Sequence, residues 1–224
     1  MAERTYNQYC PIAHALDLIG DRWTLLICRD LLLGPKRFSD LHAGRPGIGT
    51  NILTDRLKGL DHAGLVQRRV LPPPAASAVY ELTPYGHGIE PALVALAQWG
   101  GQSLGVAQPG QLLSRDSVLL TVRALARHLP TPDVPVMYAF ALGDPQLPPA
   151  IFARTAEGEV EVSTSSADQA DVVFQLNVDT LFALAGGLLS LQAAIERGSV
   201  ALQGALELLE ALGISSERTS SQAG

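Results

Sequence analysis

The sequence predicts an α+β protein built from two parts, and three observations support this fold class. The length of 224 residues suits two small domains better than one large domain. Helical apolar spacing and a hairpin pattern come first, whereas strand-like segments precede helices later in the chain. Acidic residues prevail beyond Gly101, so the two parts also differ in charge. We expect a first domain over 1–104, a second over 105–215 and a disordered polar tail over 216–224.

The first part is predicted to begin with two helices. Gly20 ends the first of them, in which apolar residues recur at helical spacing: Ile12, Ala15, Leu16 and Ile19. Asp21 can cap a second helix over 22–33. Four residues of this second helix are expected in a core: Trp23, Leu26, Ile27 and Leu31.

A third and a fourth helix follow, joined by a glycine-rich turn over 45–49. The third begins near Phe38 with Ser39 as its expected cap, and the fourth runs from Thr50 to about His62. One side of the fourth helix is apolar, with Leu53, Leu57 and Leu60, and the opposite side is polar, with Asn51, Asp55 and Lys58. By itself, this pattern is typical of any amphipathic surface helix.

Two strands predicted directly afterwards, over 65–71 and 79–82, change that interpretation. Helices joined by a tight turn and followed by a hairpin build a winged helix, which presents one helix to a DNA groove. Thr83 and Pro84 then suit the cap and first position of another apolar helix. We expect that helix and the first one to pair with their copies in a second subunit, because two related half-sites need two readers. The alternative is that it packs under the chain's own second domain.

The second part is expected to form a sheet with helices on one face, because its strands precede most of its helices. A linker over 101–110 leads into it. The predicted elements are a helix over 112–129, strands over 134–142, 151–155, 160–164 and 171–177, a helix over 178–191, a helix or turn through Ile195, a strand over 199–202 and a helix over 205–212.

The distribution of charge matters more than the net charge of −6. The window from Lys36 to Arg69 is locally positive, and phosphate binding needs a positive face rather than a positive molecule. No apolar run reaches the roughly 18–20 residues of a membrane helix, and the N-terminus has no apolar signal segment. We therefore expect a cytoplasmic protein without a membrane partner.

Several residues of the first part are candidates for contacting double-stranded DNA: Lys36, Arg37, Thr50, Asn51, Thr54, Arg56, Lys58, Arg68 and Arg69. Asn51 can pair with an adenine edge, and Thr50 can meet a thymine methyl group. Thr54 and Lys58 suit the groove, and Lys58 suits a phosphate equally well. The other basic residues are expected on phosphates, with Lys36 and Arg37 at the start of the third helix. For Arg37 a buried structural pairing is the alternative.

Catalytic patterns are missing from the sequence. The five histidines are scattered, and no Ser-His-Asp, Cys-His or His-Glu-x-x-His arrangement shows local spacing. There is no phosphate-cradling glycine loop, and Cys10 and Cys28 do not have the spacing of a metal site. We expect neither an enzyme nor a cofactor nor a bound metal.

Spaced residues over about 9–100 resemble the HxlR-type bacterial transcription regulators. The motifs are Cys10-Pro-Ile, Gly20-Asp-Arg-Trp-Thr, Gly34-x-x-Arg-Phe, Leu53-Thr-x-Arg-Leu-Lys-x-Leu, Tyr80-x-Leu-Thr-x-x-Gly and Trp99-Gly. The resemblance implies a dimeric winged helix-turn-helix that binds operator DNA. Two departures stand out: Gly49 replaces a frequent serine before the recognition helix, and the uncharged wing Pro72–Ala78 lacks the usual arginine.

The second part resembles, more weakly, the SCP2-like sterol carrier fold. The residues concerned are Ala170–Leu176, Gly186-Gly-Leu-Leu-Ser and Gly198-Ser-Val-Ala-Leu-Gln-Gly. The resemblance implies an apolar tunnel between sheet and helices, with these candidate ligand-binding residues: Phe174, Leu176, Leu181, Leu184 and Leu188. The alternative is a closed, packed domain that only helps dimerisation.

The sequence therefore favours a homodimeric, sequence-specific transcription regulator, a repressor that responds to a hydrophobic small molecule. Two alternatives stay open. One is a carrier of hydrophobic ligands whose winged helix serves only assembly. The other is a redox-sensing regulator acting through Cys10, which sits where several relatives carry a responsive thiol. For Cys10 itself, simple packing at the start of the first helix is the plainer interpretation.

Overall fold

The computed structural model describes residues 5–74, 76–105, 107–108, 110–130, 134–166 and 169–212. The predicted tail over 216–224 lies outside the described residues. The chain divides into two compact units, the first ending at Leu93 and the second beginning at Val94. This division falls inside a helix, upstream of the domain boundary predicted at 104.

The first unit combines short helices with a small sheet. Its helices are α1 (Pro11–Ile19), α2 (Thr24–Leu31), α3 (Phe38–Ala43), α4 (Thr50–His62) and α5 (Pro84–His87). Its strands are β1 (Lys36–Arg37), β2 (Val66–Val70) and β3 (Ala78–Leu82), paired antiparallel in the order β1-β3-β2. α6 (Glu90–Gly101) leads from this unit into the second one. The predicted winged-helix order is therefore confirmed.

The start of α2 differs from the prediction. Trp23 has a left-handed backbone with φ of 81°, which cannot continue a helix, so α2 begins at Thr24 rather than at residue 22. Trp23 is half-buried, and the Arg22 guanidinium lies 5.1 Å from the centroid of its ring. The expectation that Leu26 is a core residue was wrong, since it is 40% exposed, and Trp23 is only partly buried.

The start of α3 also differs. Lys36 and Arg37 form the strand β1 instead of beginning the helix, and they lie opposite Tyr80 and Val79 of β3. Arg37 is the residue before the helix, and its backbone N–H donates to the Asp40 carboxylate at 3.2 Å. Ser39 is therefore not the cap, because it already lies inside α3.

Two predicted helix starts are confirmed. Gly49 precedes α4 in an extended conformation, and its carbonyl accepts from Leu53 N–H at 3.0 Å. The Thr83 hydroxyl accepts from Gly86 N–H at 3.0 Å at the start of α5. Gly86 permits a close approach, because a Cβ there would lie 2.0 Å from the Leu65 carbonyl oxygen.

The core of the first unit lies between α2, α3, α4 and the sheet. Its fully buried side chains are Ile27, Cys28, Leu31, Leu41, Leu53, Leu57, Leu60 and Val66. Burying one such leucine or isoleucine contributes roughly 1.5–3 kcal/mol relative to leaving it exposed. The three leucines of α4 thus fix which side of this helix faces inward.

The second unit is a mixed sheet with helices. Its elements are α7 (Arg115–Ala126), β4 (Val136–Ala141), β5 (Ile151–Ala156), β6 (Glu159–Ser163), β7 (Val172–Leu176), α8 (Val178–Ala185), α9 (Leu191–Glu196), β8 (Val200–Gly204) and α10 (Leu206–Ala211). The strand order is β6-β5-β4-β7-β8, with β4 and β7 parallel and all other neighbours antiparallel. The predicted α+β class is confirmed, and of the two predicted sheet types, mixed or antiparallel, the structure shows the mixed one.

The helix predicted over 178–191 ends earlier, at Ala185, and the helix or turn predicted through Ile195 is the helix α9. The Asn177 side chain caps α8 by accepting from Thr180 N–H at 2.8 Å, and the helix ends before Gly186. Gly187 has φ of +71°, which ends the helical path before Ser190 caps α9. The segment predicted as a linker over 101–110 begins with the last residue of α6.

Asp171 and Gly204 connect neighbouring strands at one end of the second sheet. Asp171 Oδ2 accepts from Met137 N–H at 2.8 Å, which closes β7 onto β4. A Cβ on Gly204 would lie 2.3 Å from the Asp171 carbonyl oxygen, so only glycine fits there. The close approach of β8 to the start of β7 therefore depends on the lack of a side chain at Gly204.

Candidate nucleic-acid interface

The helix α4 presents its polar side to solvent. Leu53, Leu57 and Leu60 are buried beneath it, whereas Thr50, Asn51 and Lys58 are exposed. The residues predicted to read base edges therefore lie at the open N-terminal end of this helix. In helix-turn-helix proteins, the N-terminal residues of the second helix contact the bases.

The turn before α4 is held from inside. Ile48 is buried, and its N–H donates to the Arg45 carbonyl at 3.2 Å. Gly47 has φ of +95°, a conformation that side chains rarely adopt. A buried anchor and a left-handed glycine thus fix the path by which the chain enters α4.

Three basic residues of the locally positive window are already paired with acids. Arg56 on α4 forms an ion pair with Asp21, which lies between α1 and α2. Arg69 on β2 pairs with Glu81 on β3, and Arg45 pairs with Asp30 on α2. The positive charge near α4 is therefore smaller than the sequence window indicates.

Arg69 is held by the sheet itself. Its Nε and Nη2 donate to the Glu81 carboxylate at 2.9 and 2.7 Å, and Gln67 Nε2 donates to Glu81 Oε1 at 2.8 Å. The hydrogen bonds from Arg69 and then from Gln67 hold the pKa of Glu81 below its usual range. The same pair raises the pKa of Arg69 above its usual value. A phosphate would have to compete with Glu81 for this guanidinium.

Some other basic residues are exposed to solvent and are not paired with acids in the part of the chain that the structure describes. Lys58 and Arg68 are exposed and form no ion pair with any residue in the described ranges. Arg37 is exposed too, and its Nε donates to Ser77 Oγ at 3.1 Å, which joins β1 to the end of the wing. The buried pairing considered for Arg37 is therefore wrong.

The Thr54 hydroxyl is less available for DNA contacts than expected. Its hydroxyl donates to the Thr50 carbonyl at 2.8 Å, within α4. The methyl group and the oxygen lone pairs are left for contact with a groove, but the hydroxyl proton is used. Thr50 has no such constraint from its position, since it is the first residue of the helix.

The two thiols differ in their surroundings. Cys10 is half-buried directly before α1, whereas Cys28 is fully buried in α2. Burial raises the pKa of the Cys28 thiol to about 11, which keeps it protonated near neutral pH. Only Cys10 is therefore placed to meet an oxidant from solution.

The candidate ligand residues of the second unit do not share one environment. Phe174, Leu176 and Leu181 are buried in the packed core, where the Phe174 ring stacks on Phe140 with centroids 4.8 Å apart. Leu184 packs against that core, whereas Leu188 is 56% exposed. The structure thus brings four of the five residues together and leaves Leu188 outside.

Within the described ranges, no group of three or more His, Cys, Asp or Glu residues could hold a metal ion. In the same ranges, no helix combines the length and hydropathy of a membrane span.

Two family models match the chain. Residues 18–108 match the family model described as HxlR-like helix-turn-helix. An uncharacterized HTH-type transcriptional regulator of Synechocystis sp. is 37% identical over 95 residues, which are 42% of this chain and 70% of that protein. The chain belongs to the HxlR-like family. It is a DNA-binding transcription regulator, and residues 136–213 match the SCP-2 sterol transfer family.

Further relatives of this HxlR-like protein match the same region. The HTH-type transcriptional regulator YodB of Bacillus subtilis is 32% identical over 111 residues, covering 49% of this chain and 96% of that protein. The solved reduced form of YodB is 33% identical, covers 46% of this chain and 100% of that chain, and superposes with a TM-score of 0.38.

Sequence reasoning missed the buried arginine of the HxlR-like unit. Arg45 counted among the charges of the positive window, but its side chain is buried and bonded to α2 and α3. Its place in the turn 45–49 offered no sign of this. A glycine-rich turn usually carries its charged residues on the surface.

Proposed function

We propose that this HxlR-like protein acts as a homodimeric repressor whose second unit binds an apolar small molecule and thereby changes operator binding. The exposed N-terminal end of α4, with Thr50 and Asn51 beside the solvated Lys58, supports the DNA-reading part most directly. Amide and hydroxyl groups there match base edges, and the ammonium group matches a phosphate.

Exposed apolar side chains support the dimeric state. α1 exposes Ile12 and Leu16, and Ile12 is 73% exposed. α6 has no buried residue, and its Trp99 is 71% exposed. Large apolar side chains concentrated on two helices are typical of an interface between subunits. The C-terminal part of α6 belongs to the second unit and packs against it, since a Cβ on Gly101 would lie 3.7 Å from the Gly186 Cα.

The apolar-effector part rests on the family of the second unit and on its aromatic core. Tyr138, Phe140 and Phe174 are fully buried on adjacent strands. The interior between this sheet and its helices is therefore apolar, and it suits an apolar molecule better than a charged one. We propose no enzymatic activity for this unit.

Selection of duplexes tests the DNA-reading proposal. The full chain is incubated with random duplexes long enough for two half-sites one helical turn apart. We expect enrichment of one sequence, and binding to it that weakens steeply in rising salt. Enrichment of no sequence, or weak binding that ignores salt, would contradict the DNA-reading proposal and favour a ligand carrier whose winged helix serves assembly.

Substitutions on α1 test the dimer. Ile12→Asp with Leu16→Asp should convert the dimer into monomers in analytical ultracentrifugation and abolish tight binding to the selected duplex. His14→Asp, exposed on the same helix but on the side opposite Ile12 and Leu16, is the matched control and should leave the dimer intact. A wild-type chain that sediments as a monomer on its selected duplex contradicts the dimer.

The effector is tested by stripping and reloading the protein. Native mass spectrometry of the purified chain should detect an apolar molecule bound to it, and removing that molecule with an organic-solvent wash should change affinity for the selected duplex. Identical affinities before and after removal would mean that the second unit serves packing alone.

A second candidate function is a thiol response through Cys10. The observation that favours it is the partial exposure of Cys10 directly before α1, whose exposed apolar residues we assign to the dimer interface. Mild peroxide should then modify Cys10 and change DNA affinity, and Cys10→Ser should remove both effects. An unmodified Cys10 with unchanged affinity ends this candidate.

A further inference from the structure

The turn between α3 and α4 contains a charged side chain that is almost completely buried. Arg45 and Asp30 each expose 2% of their side chains, and Arg45 Nη2 lies 2.6 Å from Asp30 Oδ2. Burying a charge is costly unless it is paired and hydrogen-bonded. A hydrophobic residue of similar size would fill this space at lower cost, so packing alone does not explain the arginine.

The contacts of Arg45 join three segments of the helix-turn-helix. Nη1 donates to the Leu41 carbonyl in α3 at 2.5 Å, and Nη2 donates to the Leu26 carbonyl in α2 at 2.7 Å. The ion pair with Asp30 adds a second attachment to α2. One planar guanidinium thus fixes the position of α3 and of the turn relative to α2.

The attachment to α3 uses an atom that would otherwise lack a partner in the helix. α3 ends at Ala43, and in its last turn the Asp40 and His42 carbonyls accept from the N–H groups of Gly44 and Arg45. The Leu41 carbonyl between them accepts from the Arg45 guanidinium instead. A cation at this end also meets the negative pole of the helix. Arg45 therefore holds α3 by its C-terminal end.

Asp30 is itself held in place from the other side. Its Oδ1 accepts from Arg29 Nε at 2.7 Å, so each carboxylate oxygen has an arginine partner. Both arginines and Asp30 are carried by α2 and by the turn 45–49. Asp30 therefore offers Arg45 a fixed point of attachment on α2.

From these contacts we infer that Arg45 is a positioning residue for DNA reading. Only four residues separate it from Thr50, and the same turn carries the buried Ile48 and the Gly49 cap. A shift of Arg45 is passed along this short connection to the N-terminal end of α4. Base contacts depend on direction, whereas phosphate contacts tolerate small displacements. Arg45 therefore acts on sequence discrimination more than on overall affinity.

This inference rests on the proposed DNA-reading function. Two measurements distinguish a failure of the inference from a failure of that function. The first compares Arg45→Lys and Arg45→Met on the selected duplex and on random duplex, at a temperature where thermal unfolding shows each variant folded. The ratio of the two affinities should fall about tenfold, the scale of one lost base contact, with the salt slope unchanged. Lysine keeps the charge but lacks the planar guanidinium group, so the affinity ratio of Arg45→Lys should lie between those of the wild type and Arg45→Met.

Ile27→Ala is the matched control, because Ile27 is fully buried on the same helix and its side chain has no polar atom that could bond to α3 or to the turn. It should lose stability while keeping the wild-type affinity ratio. An Arg45→Met variant that also keeps the ratio overturns the inference. The inference fails equally if Ile27→Ala lowers the ratio as much.

The second measurement needs no DNA. Amide hydrogen exchange over 46–53 should be faster in Arg45→Met than in Ile27→Ala, when both are compared at equal global stability. Equal exchange in the two variants overturns the positioning role. If the wild type selects no duplex, the proposed function fails, and hydrogen exchange still decides the role of Arg45.

Discussion

Asp21 and Arg56 form an ion pair that joins the corner between α1 and α2 to the recognition helix α4. Both side chains are partly exposed, so the pair contributes little to stability. Its position matters more, because it places a carboxylate beside the helix that we propose as the DNA-contacting helix.

Asp21→Asn should therefore strengthen binding to every duplex. The change frees the Arg56 guanidinium for a phosphate, and it removes a negative charge from the interface. The dependence of log K on log salt should become steeper by about 0.9 per protomer. Anisotropy titrations at several salt concentrations measure this, with Asp179→Asn in the second unit as the control that changes nothing. Weaker binding by Asp21→Asn would show that Asp21 instead holds Arg56 in its working position.

Asn51 and Lys58 should respond differently to replacement by alanine. Asn51→Ala should cost about 1–3 kcal/mol on the selected duplex and almost nothing on random duplex. Lys58→Ala should weaken both and reduce the salt slope by about 0.9 per protomer, or about 1.8 for a dimer. Paired titrations on the two duplexes decide the matter. Equal losses for Asn51→Ala on both would show that it does not read a base.

Gly86→Ala should destabilise the first unit by about 1–3 kcal/mol, because the new Cβ would overlap the Leu65 carbonyl. Gly59→Ala is the matched control. No atom lies within 4 Å of a Cβ built there, and the position is inside α4, so stability should rise by up to about 1 kcal/mol. Urea unfolding of the full chain measures both. A neutral Gly86→Ala would mean that β2 can move away from α5.

The two cysteines should differ in reactivity at pH 8. Cys28 is buried and has a pKa of about 11, so it should resist alkylation in the folded protein. Cys10 is half-buried and should react first. Mass mapping after iodoacetamide treatment identifies the modified thiol, and the urea-unfolded chain is the control in which both react. Alkylation of Cys28 under native conditions would show that α2 opens readily.

Glu81 should titrate below the usual range of a glutamate, because Arg69 and Gln67 donate hydrogen bonds to its charged form. The stabilising contribution of this pair is present above the pKa of the unfolded chain, and it is lost as pH falls through the lower folded-state value. Carbon-detected NMR of the carboxyl group measures the pKa directly. Arg69→Met should return it towards the ordinary value, and an unchanged pKa in that variant would contradict the assigned cause.

Much of the fold could be predicted from periodicity and turn chemistry. The bounds of α4 follow from its leucine spacing and the Gly49 cap, and β7 follows from the alternation of Val172, Phe174 and Leu176. β1 could not be predicted, because two residues carry no period and the strand exists only by pairing with β3. A tertiary contact decides such a strand rather than a local preference.

The exposed residues of the candidate site could be predicted from the sequence, but the ion pairs of its arginines could not. Asn51 and Lys58 face outward because the buried leucines fix the orientation of α4. The pairing of Arg45 with Asp30, of Arg56 with Asp21 and of Arg69 with Glu81 joins residues 12 to 35 positions apart. No sequence rule specifies such partners, so the positive charge available for phosphates was overestimated.

Native mass spectrometry of the full chain mixed with its selected duplex tests most directly whether a pair of recognition helices reads the DNA. We expect two protomers on one duplex, and a smaller fraction of that complex with Asn51→Ala while the free dimer persists. A complex containing one protomer, or a dimer that binds selected and random duplexes equally, would contradict this.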